Sequence, residues 1–106
     1  MDVLKDRLRL SEADLAAYCQ RWQIIEMSFF GSVLRDDFGS DSDIDVLVDF
    51  PAEAMIGLRE RIAMEEELVR ILGREVDLID RRAVERSPNY IRRKSILGSA
   101  QVVYVA

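Results

Sequence analysis

Two apolar runs of strand length, IIEMSFF and IDVLVDF, flank a segment crowded with aspartates. Six aspartates fall within residues 29–50. Side chains alternate between the two faces of a strand, so Asp43 and Asp45 fall on one face. Ile44 and Val46 point the other way, into a core. The chain must therefore fold around a sheet whose second strand begins with carboxylates on one face and apolar side chains on the other.

The remaining pattern alternates helices with strands. We predict a helix from Ser11 to about Trp22, strands over 24–30 and 44–50, a helix from about Met55 to Leu72, a strand over 75–80, a helix from Pro88 to about Ser99, and a strand over 101–105. A length of 106 residues with a hydrophobic fraction of 49% suits one domain spanning residues 1–106. We expect an α/β sandwich, in which helices cover one four-stranded sheet mainly on one side.

Composition and charge exclude several classes of function. The net charge of −5 disfavours binding to a nucleic-acid backbone, which depends on Lys and Arg. The chain has no His, and its single cysteine, Cys19, excludes an internal disulfide and a cysteine-based zinc site. No signal peptide or membrane-spanning run is present, so we expect a cytoplasmic protein without membrane contact. The basic run IRRK at residues 91–94 predicts the exposed face of the last helix, with a docking patch as the alternative.

The paired carboxylates indicate a metal site. Two carboxylates held together are unfavourable unless a cation lies between them, and Mg²⁺ prefers oxygen ligands shared with substrate phosphates. Asp77 is the third candidate ligand, because it lies among Val76 and Leu78 in a predicted strand. If that strand lies beside the one that begins near Asp43, three carboxylates converge, which is enough for two metal ions. The alternatives are a solvated strand start for Asp43 and Asp45 and a water-facing edge-strand carboxylate for Asp77.

The segment FFGSVLR predicts a phosphate site. Gly31 ends a strand and Ser32 begins a helical turn, where free backbone N–H groups bind phosphate and a glycine permits close approach. Arg35 lies one turn further on and could reach a phosphate or pair with a nearby aspartate. An ordinary strand-to-helix turn is the alternative. A phosphate-binding site beside a metal site is typical of enzymes that catalyse phosphoryl or nucleotidyl transfer.

At these residues the chain resembles a known family. The G-S pair at residues 31–32, the S-D-x-D motif at residues 42–45 and the later carboxylate of Asp77 resemble the polymerase-β-type nucleotidyltransferases. The layout of nearly the whole chain is similar to that of the minimal nucleotidyltransferases, the MNT group. The resemblance implies a polymerase-β-like α/β (α+β) fold, with a mixed sheet of about four strands flanked by helices.

The resemblance also implies a reaction and the residues that perform it. The expected reaction uses ATP and two Mg²⁺ ions, transfers a nucleoside monophosphate and releases pyrophosphate. By this match Asp43 and Asp45 are metal ligands, and Asp77 is the third ligand and a base for the incoming hydroxyl. The expected nucleotide-binding residues are Gly31, Ser32, Ser42 and Arg35. One departure is Asp36, which stands where the family often has Gly after the motif arginine.

Minimal nucleotidyltransferases similar to this chain are commonly antitoxins of a HEPN-domain RNase toxin, which they adenylylate. The resemblance therefore implies a hetero-oligomer with a HEPN-domain toxin and transfer of AMP to a hydroxyl of that partner, expected to be a tyrosine. One alternative is a binding module that neutralises the partner by occlusion, with a vestigial site. Another is a subunit of a small-molecule nucleotidyltransferase, which the chain length disfavours. A homo-oligomer is left open.

Two other aspartate-rich motifs fit less well. An EF-hand loop needs Gly at its sixth position and Glu at its twelfth. Counted from Asp41, those positions hold Val46 and Ala52. In haloacid-dehalogenase phosphatases an apolar strand precedes the first aspartate of D-x-D, whereas here the strand follows it.

Overall fold

A computed structural model describes residues 11–31 and 43–106 of the chain. These residues contain four helices and four strands. In chain order they are α1 (Glu12–Arg21), β1 (Glu26–Phe30), β2 (Ile44–Asp49), α2 (Leu58–Leu72), β3 (Val76–Asp80), α3 (Arg81–Glu85), α4 (Tyr90–Ser99) and β4 (Gln101–Val105). Within these residues, no helix is long and apolar enough to cross a membrane.

The strands form one mixed sheet in the order β3-β2-β1-β4. β1 runs antiparallel to both β2 and β4, whereas β2 and β3 are parallel. The parallel pair needs a crossover, and α2 supplies it, as parallel strands require. The four predicted strands are all present, and β3 lies beside β2 as the metal-site hypothesis required.

The larger core lies on one face of the sheet, under α1 and α2. The strands contribute side chains such as Phe29 and Val46, which are fully buried, and the helices contribute Tyr18 and Leu68. The hydroxyl of Tyr18 donates to the backbone oxygen of Met64 over 3.0 Å, so the polar end of this buried ring is satisfied. This hydrogen bond links α1 to α2 across the core.

A smaller core lies on the opposite face, under α3 and α4. It consists of Phe30, Leu47, Val84 and Ile96. The expectation that helices cover mainly one side is therefore incomplete, because two short helices also cover part of the other. α3 was missed in the sequence, since five residues are too few to show a helical period.

The helix ends explain the small shifts from the predicted boundaries. α1 begins as expected, with Ser11 Oγ accepting from the N–H of Asp14 over 3.3 Å. α2 ends at Gly73, whose φ of 71° lies in the left-handed region that suits glycine. α4 begins at Tyr90 instead of Pro88, because Asn89 is its N-cap and accepts from the N–H of Arg92.

Candidate active site

Two predicted site residues, Asp45 and Asp77, are direct neighbours in the sheet. The parallel register of β2 and β3 pairs Asp45 with Asp77. Neighbouring strands lie about 4.8 Å apart, and residues paired in this way point to the same face. That face carries the smaller core, so both carboxylates lie on the side of α4. Asp45 is half-buried and Asp77 is exposed, and Asp77 lies on an edge strand as its alternative interpretation expected.

Gly31 lies against the Asp45 carboxylate. The antiparallel register pairs Phe30 with Asp45, which brings the next residue, Gly31, to the start of β2. Its φ is 76°, in the region that disfavours other residues, and a Cβ atom built there would collide with Oδ2 of Asp45. The sequence predicted a glycine that allows a phosphate to approach. In the structure the close approach is made by the carboxylate.

Asp43 immediately precedes β2 and is exposed. The N–H of the next residue, Ile44, donates to the backbone oxygen of Glu75 over 2.9 Å, which joins the starts of the two parallel strands. Over residues 11–31 and 43–106, no group of three or more His, Cys, Asp or Glu side chains is arranged to hold a metal ion. The convergence of Asp43 with Asp45 and Asp77 therefore stays a prediction.

Three predicted nucleotide-binding residues, Ser32, Arg35 and Ser42, lie outside the described residues, as does Asp36. Their roles stay predictions. Gly31 is the one expected nucleotide-binding residue whose surroundings the structure describes.

Side chains of α2 hold the outer edge of β3. The N–H of Leu78 donates to Oε1 of Glu65 over 3.3 Å, and the guanidinium of Arg61 donates to the backbone oxygen of Leu78. Since β3 is an edge strand, these bonds satisfy backbone groups that would otherwise face solvent. They hold the strand at Leu78, the residue that follows Asp77.

A cleft of about 780 Å³ lies between the carboxylates and α4. Its volume falls within the range of roughly 300–1,000 Å³ that is typical of small-molecule sites. The sheet contributes Asp45 and Asp77 to one wall, together with Gly31 and the apolar Phe30 and Ile79. The cleft therefore has room for a ligand directly above the paired carboxylates.

The opposite wall of the cleft was not predicted. It is formed by one face of α4 and the residue before it: Asn89, Ile91, Arg92, Ser95, Ile96 and Ser99. Residues 92, 95, 96 and 99 follow the helical spacing that places side chains on one face. The basic run at residues 91–94 was the available signal, but the sequence alone does not show that one of its arginines lines the same cleft as the carboxylates.

Comparisons with known proteins find a matching sequence profile and related proteins. The sequence profile described as nucleotidyltransferase domain matches residues 15–103. The protein adenylyltransferase MntA of Thermococcus cleftensis is 42% identical over 60 residues, which are 57% of this chain and 59% of that protein. A provisionally named protein adenylyltransferase of Methanocaldococcus jannaschii is 31% identical over 85 residues, 80% of each chain.

Solved structures share the fold. A provisionally named minimal nucleotidyltransferase is 29% identical, with a TM-score of 0.67 over 95% of each chain. A toxin–antitoxin complex with AMP-PNP matches with a TM-score of 0.69 at 20% identity, over 92% of this chain and 75% of that one. The complex of AMPylated HEPN toxin and MNT antitoxin from Shewanella oneidensis matches with a TM-score of 0.59 at 20% identity, over 90% and 70%. The predicted fold class and the family resemblance are confirmed.

Proposed function

Because the chain belongs to the nucleotidyltransferase domain family, we propose that it transfers AMP from ATP to a hydroxyl group of a partner protein. The observation that carries the proposal is the register pairing of Asp45 with Asp77 at the floor of a cleft. A carboxylate pair on neighbouring strands has no role in a core and is unfavourable without a cation. Membership of the family confirms the expected enzyme class, a nucleotidyltransferase.

The carboxylate pair fits a divalent cation by its donor chemistry. Mg²⁺ is usually bound by one or two carboxylates together with substrate phosphates, not by a cage made wholly of protein. Asp45 and Asp77 supply such a partial set, and we assign Asp43 as a further ligand. When bound, one or two Mg²⁺ ions would neutralise phosphate charge and lower the pKa of the attacking hydroxyl.

The chain's own residues then position the substrates and move the proton. The hydroxyl oxygen of the acceptor attacks the α-phosphorus of ATP and forms a new O–P bond. The bond from that phosphorus to the bridging oxygen breaks, and pyrophosphate leaves. Asp77 takes the hydroxyl proton, since its exposed carboxylate lies beside Asp45 at the cleft. The predicted contacts of Gly31, Ser32, Ser42 and Arg35 with the nucleotide belong to this proposal.

A HEPN-domain toxin is the proposed acceptor protein, and one of its tyrosines the proposed acceptor residue. Two observations support this assignment: two relatives are named protein adenylyltransferases, and the fold is shared with an MNT antitoxin bound to an AMPylated HEPN toxin. The acceptor must come from outside residues 1–106 if these form the single catalytic domain that we propose. The cytoplasm, where ATP and Mg²⁺ are abundant, is the proposed site of the reaction.

The experiment is to incubate the purified chain with its candidate toxin, ATP and Mg²⁺, and to measure the mass of the intact toxin by mass spectrometry. We expect one or more AMP adducts with the wild-type chain and none with Asp43→Asn/Asp45→Asn. If the toxin stays unmodified and both forms of the chain bind and silence it equally, neutralisation by occlusion replaces the enzymatic proposal. If a small-molecule acceptor is modified and the toxin is not, the protein-acceptor assignment is wrong.

A further inference from the structure

Helix α4 carries a concentrated positive charge in an acidic chain. Arg92, Arg93 and Lys94 are consecutive, the first turn of the helix contains no acidic residue, and the net charge of the chain is −5. Arg92 is exposed and is the basic side chain that lines the cleft among the residues that the structure describes. Among the described residues, Arg92 is therefore the cation on the wall of the cleft opposite Asp45 and Asp77.

The neighbouring basic side chains have local structural contacts. Arg93 donates to the backbone oxygen of Ser87 over 2.8 Å, and its guanidinium lies 5.6 Å from the ring centroid of Tyr90. The ammonium of Lys94 lies 5.9 Å from the same centroid. The guanidinium of Arg92, in contrast, makes no hydrogen bond or ion pair with any residue in 11–31 or 43–106. Within the described part of the chain, no polar contact of the guanidinium therefore accounts for the position of Arg92 in the cleft.

The N-terminus of α4 does not provide the anion site by itself. The N–H of Arg92 donates to Oδ1 of Asn89 over 3.0 Å, so this helix end is already capped by a side chain. An anion in the cleft would meet the guanidinium of Arg92 instead of this backbone group. Guanidinium groups bind phosphate through two parallel N–H donors, which gives both charge and orientation.

We propose that Arg92 binds the β- and γ-phosphates of the nucleoside triphosphate from the wall of the cleft opposite Asp45 and Asp77. The inference rests on the proposed function, because the reacting α-phosphate must lie beside the carboxylates. The β- and γ-phosphates carry more negative charge than the cation at the carboxylates neutralises, and the guanidinium on α4 complements the rest of that charge. After transfer, the same contact holds the negative charge of the departing pyrophosphate.

The test compares ATP and AMP binding by calorimetry in the presence of Mg²⁺ for the wild type, Arg92→Gln, Arg92→Lys and Lys94→Gln. We expect Arg92→Gln to weaken ATP binding by about tenfold or more, the usual loss for a charged hydrogen bond. AMP binding should change little, because AMP lacks the β- and γ-phosphates. Arg92→Lys should restore part of the affinity, since it keeps the charge but loses the paired donors.

Lys94→Gln is the matched control, because it removes the same charge from the same helix outside the cleft. It should bind ATP like the wild type, and all variants should keep the wild-type melting temperature. Equal ATP affinity of Arg92→Gln and the wild type would overturn the inference and leave the proposed function standing. So would normal ATP binding with slower modification of the partner, which would place Arg92 at the acceptor. A wild-type chain that binds no triphosphate overturns both.

Discussion

The two faces of the sheet differ in how completely they are covered. The face under α1 and α2 is closed: Tyr18, Phe29, Met64 and Leu68 are all fully buried there. The face under α3 and α4 has a core of four buried residues, and beside it lies the open cleft with its two carboxylates. One face thus supplies most of the apolar burial, whereas the other combines limited packing with exposed charge.

This difference suggests that one face of the sheet provides most of the stability and the other carries the groups of the site. β2 contributes to both faces, since Val46 enters the larger core and Asp45, its neighbour, faces the cleft. A well-packed reverse face holds the strand register, and the register sets the distance between Asp45 and Asp77. Stability and activity should therefore respond to different residues of the same strands.

The largest effect should come from Asp45→Asn. We expect the rate of AMP transfer to fall by at least about a hundredfold, because the variant loses a carboxylate ligand of the proposed Mg²⁺ ion, which stabilises the charge on the reacting phosphates. Asparagine has nearly the same shape as aspartate, so it fits beside Gly31 and the melting temperature should not fall. Intact mass spectrometry of the acceptor over time gives the rate.

Asp49→Asn is the matched control for that variant. Asp49 lies four residues further along β2, on the same face, and does not line the cleft. It should keep the wild-type rate. A comparable loss of rate in both variants would show that strand charge, not the cleft, controls activity.

The next largest effect should distinguish the two cores. Leu68→Ala, in the closed face, should lower the free energy of unfolding by about 2–5 kcal/mol. Ile96→Ala, in the smaller core and at the cleft, should lower it less, because the cavity opens toward solvent and can be filled by water. Urea unfolding with unchanged m-values measures both. An equal or larger loss for Ile96→Ala would contradict the comparison.

The closed face was the more predictable of the two. The alternation in IDVLVDF placed Ile44 and Val46 in the core, because burial imposes a period on the sequence. The apolar face predicted for α2, a repeat of Leu58, Ile62, Val69 and Leu72, was correct only at Leu72. Leu58 and Ile62 are exposed, and the helix buries Met64 and Leu68 instead. The two carboxylates that meet across β2 and β3 were also anticipated, although their meeting depended on an assumed strand neighbour. The register that pairs Asp45 with Asp77 is a tertiary feature that no local pattern encodes.

The second wall of the cleft could not be derived from sequence for a related reason. α3 has five residues, and α4 has one buried side chain, Ile96, so neither presents a strong apolar period. Arg92 therefore looked like part of a solvated basic run. Which of three adjacent basic residues faces the carboxylates depends on how α4 is rotated over the sheet, and that rotation is set by long-range packing.

A moderate effect should appear at alkaline pH and depend on the closed face. Burial raises the pKa of the Cys19 thiol from its ordinary value of 9.0 to about 12. The neighbouring Tyr18 also has a raised pKa, first because of burial and then because of the Cys19 thiolate and nearby glutamates. Above pH 9.0 the unfolded chain loses protons that the folded chain keeps, so stability is full below this pH and declines as pH rises toward 12.

Cys19→Ala isolates the thiol's share of this decline. Its free energy of unfolding should fall less steeply than that of the wild type between about pH 9 and about pH 11, since one of the two linked protons is removed. Chemical denaturation at several pH values gives the slopes. Identical slopes would show that the Cys19 thiol does not contribute to the pH dependence.

The smallest effect concerns the repulsion that the open face tolerates. Asp77→Asn removes one of two like charges paired across neighbouring strands, and such pairs destabilise a sheet by about 0.2–1 kcal/mol. Without metal, the variant should therefore unfold at the same free energy as the wild type or a slightly higher one. Added Mg²⁺ and ATP should reverse the order, because they bind the intact carboxylate pair and stabilise only the folded chain. Urea denaturation with EDTA and then with Mg²⁺ and ATP measures both. If Asp77→Asn is less stable than the wild type even in EDTA, the carboxylate holds β3 in place and the separation of stability from activity fails at this position.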